Sequence, residues 1–221
     1  MTAANPGSRA DHDHADPFLG SRCRLVPLLP EHYPHLYDIT LEPELVSRWE
    51  PDVVGGAFEA WARKLTDGVL CQYGVQLRSS TRPVDGLVRC YGANFRHATA
   101  QVAMFMSSRT HKTGVGVEAM ALLIDFVFRQ FPLRKLYAET LEYNYAQFAA
   151  GAGKYFEVEG RLHGHEIHQG RAWDTLVLAT SRTLWMQGGS EVAARARAIG
   201  KRRQREGTRM RRSRVRVLTS G

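Results

Sequence analysis

Residues 104–119 read M-F-M-S-S-R-T-H-K-T-G-V-G-V-E-A, and their types and spacing point to anion binding. An apolar, strand-like end at Met104 and Met106 enters a polar loop at His111, Lys112 and Thr113. The loop closes on Gly114-x-Gly116 and passes at once into a helix. Glycines let the backbone approach a ligand with no Cβ in the way. The first amides of a helix lack intrahelical acceptors and, with the helix dipole, favour a negative group such as phosphate.

The string Gly114-x-Gly116-x-x-Ala119, with Glu139 or Glu142 further on, also matches a dinucleotide fingerprint. Its context differs from that fold, which places the first glycine directly at the end of a strand opening a parallel βαβ unit. Here Ser107–Thr113 intervene, and the strands upstream read as a meander.

The elements that must position this loop follow from hydrophobic period. Cys23–Leu29 reads as a strand, and His32–Thr40, Pro43–Trp49 and Ala57–Leu65 as helices. Leu70–Leu77, Val84–Tyr91 and Thr99–Met106 alternate with period two and have short links, which predicts an antiparallel meander. Gly116–Phe131 carries Met120, Leu123, Ile124, Val127, Phe128 and Phe131 at helical spacing, and Pro132 ends it. A strand over Leu133–Leu141, a helix over Asn144–Lys154 with Phe148 inward, and strands over Tyr155–Val158, Gly160–Glu166 and Ala172–Thr180 complete the reading.

Composition sets the outer bounds. The 221 residues are 43% hydrophobic and 24% charged, enough for one sizeable soluble domain with tails. The first twenty residues carry no secretory pattern, and the longest apolar run, Ala119–Ile124, is too short to span a bilayer. Cys23, Cys71 and Cys90 lack metal spacing and fit a reducing, cytoplasmic setting. The net charge of +8 is uneven: residues 188–221 hold eleven Lys and Arg against two Glu, leaving the first 187 residues at −1. The organisation expected is a disordered lead at 1–21, a catalytic domain at 22–187, and a basic, disordered tail at 188–221 with room for a turn or two of helix at Ala193–Ile199.

The loop H-K-T-G-V-G-V-E-A resembles motif A of the GCN5-related N-acetyltransferases, Q/R-x-x-G-x-G/A. The spacing of Asn144, Phe156, Glu159-Gly160, the turn at His168–Gly170 and Asp174 resembles the Rim-type branch, the ribosomal-protein N-terminal acetyltransferases. Phe126, Phe128, Leu133 and Lys135–Tyr137 also fall in that pattern, over roughly Arg24–Trp185. Departures stand at His111, Lys112, Gln147 and Tyr155, where the pattern has Gln or Arg, Gly, Ser and Gly.

The resemblance implies a mixed α+β fold, a twisted and mainly antiparallel sheet flanked by helices, and an acyl-CoA donor, acetyl-CoA in particular. It places the pyrophosphate on the amides of Lys112, Thr113, Gly114, Val115, Gly116 and Val117, next to His111. It sets the pantetheine arm against the strand at Met104 and Met106, and gives Asn144 a hydrogen bond to that arm. No metal is implied. The activity implied is acyl transfer to a primary amine, either a protein N-terminus or a small amino compound.

Direct attack needs a neutral amine and an acceptor for its proton, and an α-amine near pKa 8 is partly neutral already. By resemblance that acceptor is Glu166; the same residue also reads as a surface Glu in a histidine-rich strand. His163, His165 and His168 are alternative bases, with His163 and His165 on one strand face. Zinc would require a third ligand that the pattern does not name. Tyr143 and Tyr145 are alternative proton donors or packed rings, and Tyr33, Tyr37, Trp49 and Trp61 fall near the acceptor.

The departures leave open a degenerate acyl-CoA binder. The basic tail reads as a solvated extension or as a docking surface for RNA or another acidic partner. No aromatic residues interleave its arginines, so base stacking is not expected.

Overall fold

The computed structural model describes residues 16–45 and 57–218, the side chains of Arg205 and of 207–218 excepted. Seven strands make one sheet: β1 (Cys23–Pro27), β2 (Val69–Leu77), β3 (Gly86–Asn94), β4 (Thr99–Met106), β5 (Lys135–Leu141), β6 (Glu157–His168) and β7 (Arg171–Ser181). Their order is β1-β2-β3-β4-β5-β7-β6, antiparallel throughout except for the parallel pair β4–β5. The helices are α1 (Tyr33–Thr40), α2 (Phe58–Leu65), α3 (Val115–Gln130), α4 (Glu142–Tyr145), α5 (Arg182–Leu184) and α6 (Ser190–Leu218). This is the expected mixed α+β fold.

Alternation along the strands gives the sheet two apolar faces. Leu87 and Val88, neighbours in β3, enter different clusters, as do Phe105 and Met106 in β4. On one face Leu36 and Ile39 of α1 and Trp61 and Leu65 of α2 close over Leu87 and Phe105. On the other, α3 buries Val115, Ala119, Leu122, Leu123, Val127 and Phe128 against Val88, Cys90 and Val102. At α3's C-terminal end the Arg182 guanidinium donates to the carbonyls of Phe128, Phe131 (2.6 Å) and Leu133 (2.9 Å), filling acceptors that a helix end leaves open.

Three expectations are corrected. The helix over Asn144–Lys154 is only the single turn of α4, followed by turns and a 3-10 turn at Ala149–Gly151. Gly153 turns the chain at φ +73° before β6, and Phe148 is half-buried against Tyr145 and Phe156. The lead is packed from Asp16 onward: Phe18 lies on Tyr73 and Phe126, and Leu19 is buried. Residues 1–15, with His12 and His14, and most of the helix expected at Pro43–Trp49 lie outside the described residues.

The third correction is the tail. Ser190–Leu218 is a continuous helix whose first half docks on α3. Its seam is made of small residues: Ala193 and Ala196 are buried, and a Cβ on Gly200 would run into the Gly20 carbonyl. Arg197 reaches the buried Asp125 of α3 at 2.9 Å, and Trp185 donates to the same carboxylate at 3.3 Å. A stripe of Ala and Gly carries little hydrophobic signal, yet it permits close backbone approach and so holds the helix on the domain.

Candidate anion loop and acyl-transfer site

The loop between β4 and α3 is rigidly tied. Its 3-10 turn, Ser108–Thr110, is held from the α1 side by Glu42, which accepts the Ser107 hydroxyl (2.8 Å) and the Ser108 N–H (2.6 Å). From the sheet side, buried Asp85 pairs with Arg109, whose guanidinium also reaches the Ser80 hydroxyl at 2.9 Å. Burial pushes the Glu42 carboxyl up, but the bonds from Ser108 and Ser107 outweigh it and hold that group below the usual carboxylate range.

Past this anchor the chain takes left-handed conformations at Lys112 (φ +61°) and Gly114 (φ +76°) before α3 begins. The Val115 amide is taken by the Thr113 hydroxyl at 3.3 Å. The amides of Lys112, Gly114, Gly116 and Val117 have no protein acceptor among the described residues. They cluster at the positive end of a sixteen-residue helix, an arrangement suited to a phosphate. A Cβ on Gly116 would stand 3.3 Å from Met104 Cε and 3.6 Å from Met106 Cγ, so the bare glycine keeps this approach open.

The loop stands at the mouth of a wedge in the sheet. β4 and β5 pair only where Thr99–Gln101 face Lys135–Tyr137. Beyond that point β4 continues to Met106 on β3 while β5 continues to Leu141 on β7, and the two no longer pair with each other. Strand edges left without a partner offer backbone groups to an extended, amide-bearing ligand. Met104 is 37% exposed on this stretch and Met106 is buried. Across the wedge, Asn144 occupies the third position of α4 rather than the head of a longer helix; its side-chain amide makes no hydrogen bond among the described residues.

Register places Glu166 on β6, across β7 from the end of β5. Thr175 of β7 faces Leu141, the last residue of β5, and donates its hydroxyl to Glu166 Oε1 at 2.9 Å. The histidines separate from one another. A bulge between Leu162 and Glu166, with Gly164 at φ +54°, breaks the alternation of β6. His163 turns to solvent and binds Asp174 at 3.0 Å. Hydrogen bonding from the Gly164 N–H (2.9 Å), followed by His163 and Arg161, holds the Asp174 carboxyl below its ordinary range. His168 is buried beneath Tyr143 (5.7 Å between ring centroids, 21° between planes), and Trp173 meets Tyr143 edge-on at 4.7 Å. Among the described residues no three His, Cys, Asp or Glu side chains gather as metal ligands.

The sequence profile of the acetyltransferase (GNAT) domain matches residues 22–151, more than half of the chain. The chain belongs to the GNAT acetyltransferase family. A search of curated proteins finds no match. Among solved structures, the fold is similar to that of spermidine N-acetyltransferase from Vibrio cholerae in complex with CoA and spermine. That pair shows 18% identity and a TM-score of 0.61, over 75% of this chain and 99% of that one. It is similar also to the ribosomal L7/L12 alpha-N-protein acetyltransferase RimL in complex with CoA, at 14% identity and TM-score 0.61, over 74% and 96% of the two chains. A probable GNAT-family acetyltransferase from Chromobacterium violaceum shows 21% identity and TM-score 0.58, over 84% and 96%. At these identities the likeness concerns the fold.

In this GNAT domain the loop residues His111–Val117 and the strand end at Met104 and Met106 lie on the β4 side of the wedge, Asn144 lies past the end of β5, and Glu166 lies on β6 with β7 between. The aromatic residues expected near an acceptor behave differently. Trp61 is 2% exposed, and Tyr33 and Tyr37 pack edge-on around it, so these rings build the α1–α2 core. Trp49 lies outside the described residues. Tyr145 packs on Phe148 and Phe156. Sequence reasoning missed Glu42, Asp85 and Glu118, the acids that fix the loop and its helix. Glu118 alone carried a signal: it lies on the stripe of Val115, Ala119 and Leu122, where an acid must find buried partners.

Proposed function

We propose that this protein transfers an acyl group, acetyl foremost, from CoA to a primary amine by direct attack. The observation that carries the reading is the set of unpartnered amides at Lys112, Gly114, Gly116 and Val117, placed at the mouth of the β4–β5 wedge. In this reading the amides of Lys112–Val117 receive the pyrophosphate beside His111, and the β4 edge at Met104 and Met106 receives the pantetheine arm. Asn144 donates to that arm from across the wedge.

The amine lone pair attacks the thioester carbonyl carbon, and the tetrahedral intermediate collapses by breaking the carbon–sulfur bond. The amine's proton passes through water to Glu166, and the departing thiolate is protonated to free CoA. The role needed of Glu166 is modest, because an α-amine is already partly neutral near pH 8. The acceptor class is a protein N-terminus or a small amino compound, and the two named relatives, one for spermidine and one for a ribosomal protein, span that range.

Isothermal titration with acetyl-CoA tests the donor: micromolar binding is expected, and no heat at millimolar donor would refute the reading. A thiol-release screen across N-terminal peptides, amino acids and polyamines tests transfer. Binding with no thiol released by any amine would leave an acyl-CoA binder without catalysis.

A further inference from the structure

The loop is completed by a residue that lies outside it. Glu118, 6% exposed in the first turn of α3, accepts the Ser21 hydroxyl, the Arg22 N–H at 2.8 Å and the Cys23 N–H at 3.2 Å. This clamps the entry to β1 onto the N-terminus of α3. Two further contacts hold the same segment: Arg203 of α6 donates to the Ser21 carbonyl at 3.1 Å, and Arg78 reaches the Gly20 and Gly200 carbonyls at 3.5 and 3.4 Å. The backbone of residues 20–23 is therefore fixed from α3, from Arg78 just past β2, and from α6 together.

Fixing that backbone decides where the Arg22 side chain stands. It is exposed and has no carboxylate partner among the described residues. Its Nη1 lies 2.9 Å from where a Cβ on Gly114 would be, directly against the glycine that opens α3. A planar cation with several donors thus flanks the unpartnered amides. Glu118 bonds one hydroxyl and two backbone N–H groups and makes no ion pair with the Arg22 guanidinium among the described residues.

We propose that Arg22 is a phosphate-binding residue of the acyl-CoA site, supplied by the entry to β1, and that Glu118 is the positioning residue that holds it there. The inference rests on the acyl-CoA reading above. Charge-assisted bonds to phosphate are among the stronger ones, so losing one weakens binding by about tenfold or more.

The test is competition binding of CoA, 3′-dephospho-CoA and pantetheine to the full chain and its variants. Arg22→Ala, at an exposed side chain, should weaken CoA about tenfold and leave pantetheine unchanged, with a flatter dependence on ionic strength. Arg22→Lys should recover part of the loss. Equal losses for CoA and dephospho-CoA assign Arg22 to the pyrophosphate; a loss confined to CoA assigns it to the 3′-phosphate. Glu118→Gln should reproduce the split between CoA and pantetheine, whereas equal loss on both ligands would make Glu118 merely structural and overturn its positioning role. If wild type binds CoA and Arg22→Ala binds it equally well, the inference falls while the acyl-CoA reading stands. If wild type binds no CoA, both fall.

Discussion

The Glu42 carboxylate, just past the end of α1, accepts the Ser108 N–H at 2.6 Å and so ties the helical layer on one face of the sheet to the loop that leads into α3. Glu42→Ala should free that 3-10 turn and weaken acetyl-CoA binding about tenfold, since hydrogen bonds to charged groups contribute on the order of 1.5–3 kcal/mol. The sign of the pH effect follows from the depressed carboxyl: the bonds are intact above the ordinary value of 4.5 and are lost as pH falls through the lower folded value. Titration from pH 7 down to about pH 3 should show a low-pH loss of affinity in wild type that is absent from the variant; coincident curves would remove Glu42 from this role.

Gly116→Trp should abolish acetyl-CoA binding while leaving the far-ultraviolet circular dichroism unchanged. Even a Cβ here meets Met104 Cε at 3.3 Å, so an indole must project into the space before the amides. Titration calorimetry reads the outcome, and retained affinity would move the site elsewhere.

Glu166→Gln should lower kcat by about a hundredfold, the low end of general-base effects, with little change in cofactor affinity. The amide keeps an oxygen to accept the Thr175 hydroxyl, so packing there is preserved. Equal kcat for the two proteins in a thiol-release assay would exclude Glu166 as the proton acceptor.

Asp125→Ala should destabilise the domain by about 3 kcal/mol, the scale for breaking a buried charge pair. Asp125 is 1% exposed and Arg197 12%, and the change also strands the Trp185 N–H. For a chain of this size that is a fall in Tm of roughly 6–12 °C. Proteolysis should then cut earlier within α6, since this carboxylate is one of the contacts that hold it on α3. A Tm within 1 °C of wild type would show that the docking does not depend on it.

Local pattern was sufficient wherever an element's own residues decide it. Thr99–Met106 alternates and is a strand with those bounds, and the apolar stripe expected over Gly116–Phe131 is α3 at Val115–Gln130, one residue earlier at each end. The glycine loop was legible for the same reason: its positive φ and its open amides are properties of a short stretch of chain. Where local pattern misled, a partner elsewhere was decisive. The helix expected over Asn144–Lys154 stops at Tyr145, and the turns that follow pack Tyr145 and Phe148 onto Phe156 ahead of β6.

The sequence by itself determined the β2–β4 meander, the principal helix and the loop with its open amides, since each depends on neighbours within a few residues; it split β6 in two, where the structure runs one strand over Glu157–His168. Only the tertiary structure decided that the basic C-terminal segment packs as a helix, because Ala193, Ala196 and Gly200 act by their smallness against particular surfaces on α3 and at Gly20. It also decided that Arg22 stands at Gly114. That contact joins residues 92 positions apart, and it exists because Glu118 satisfies the Arg22 and Cys23 amides in a buried place where an unpaired carboxylate would be too costly to keep.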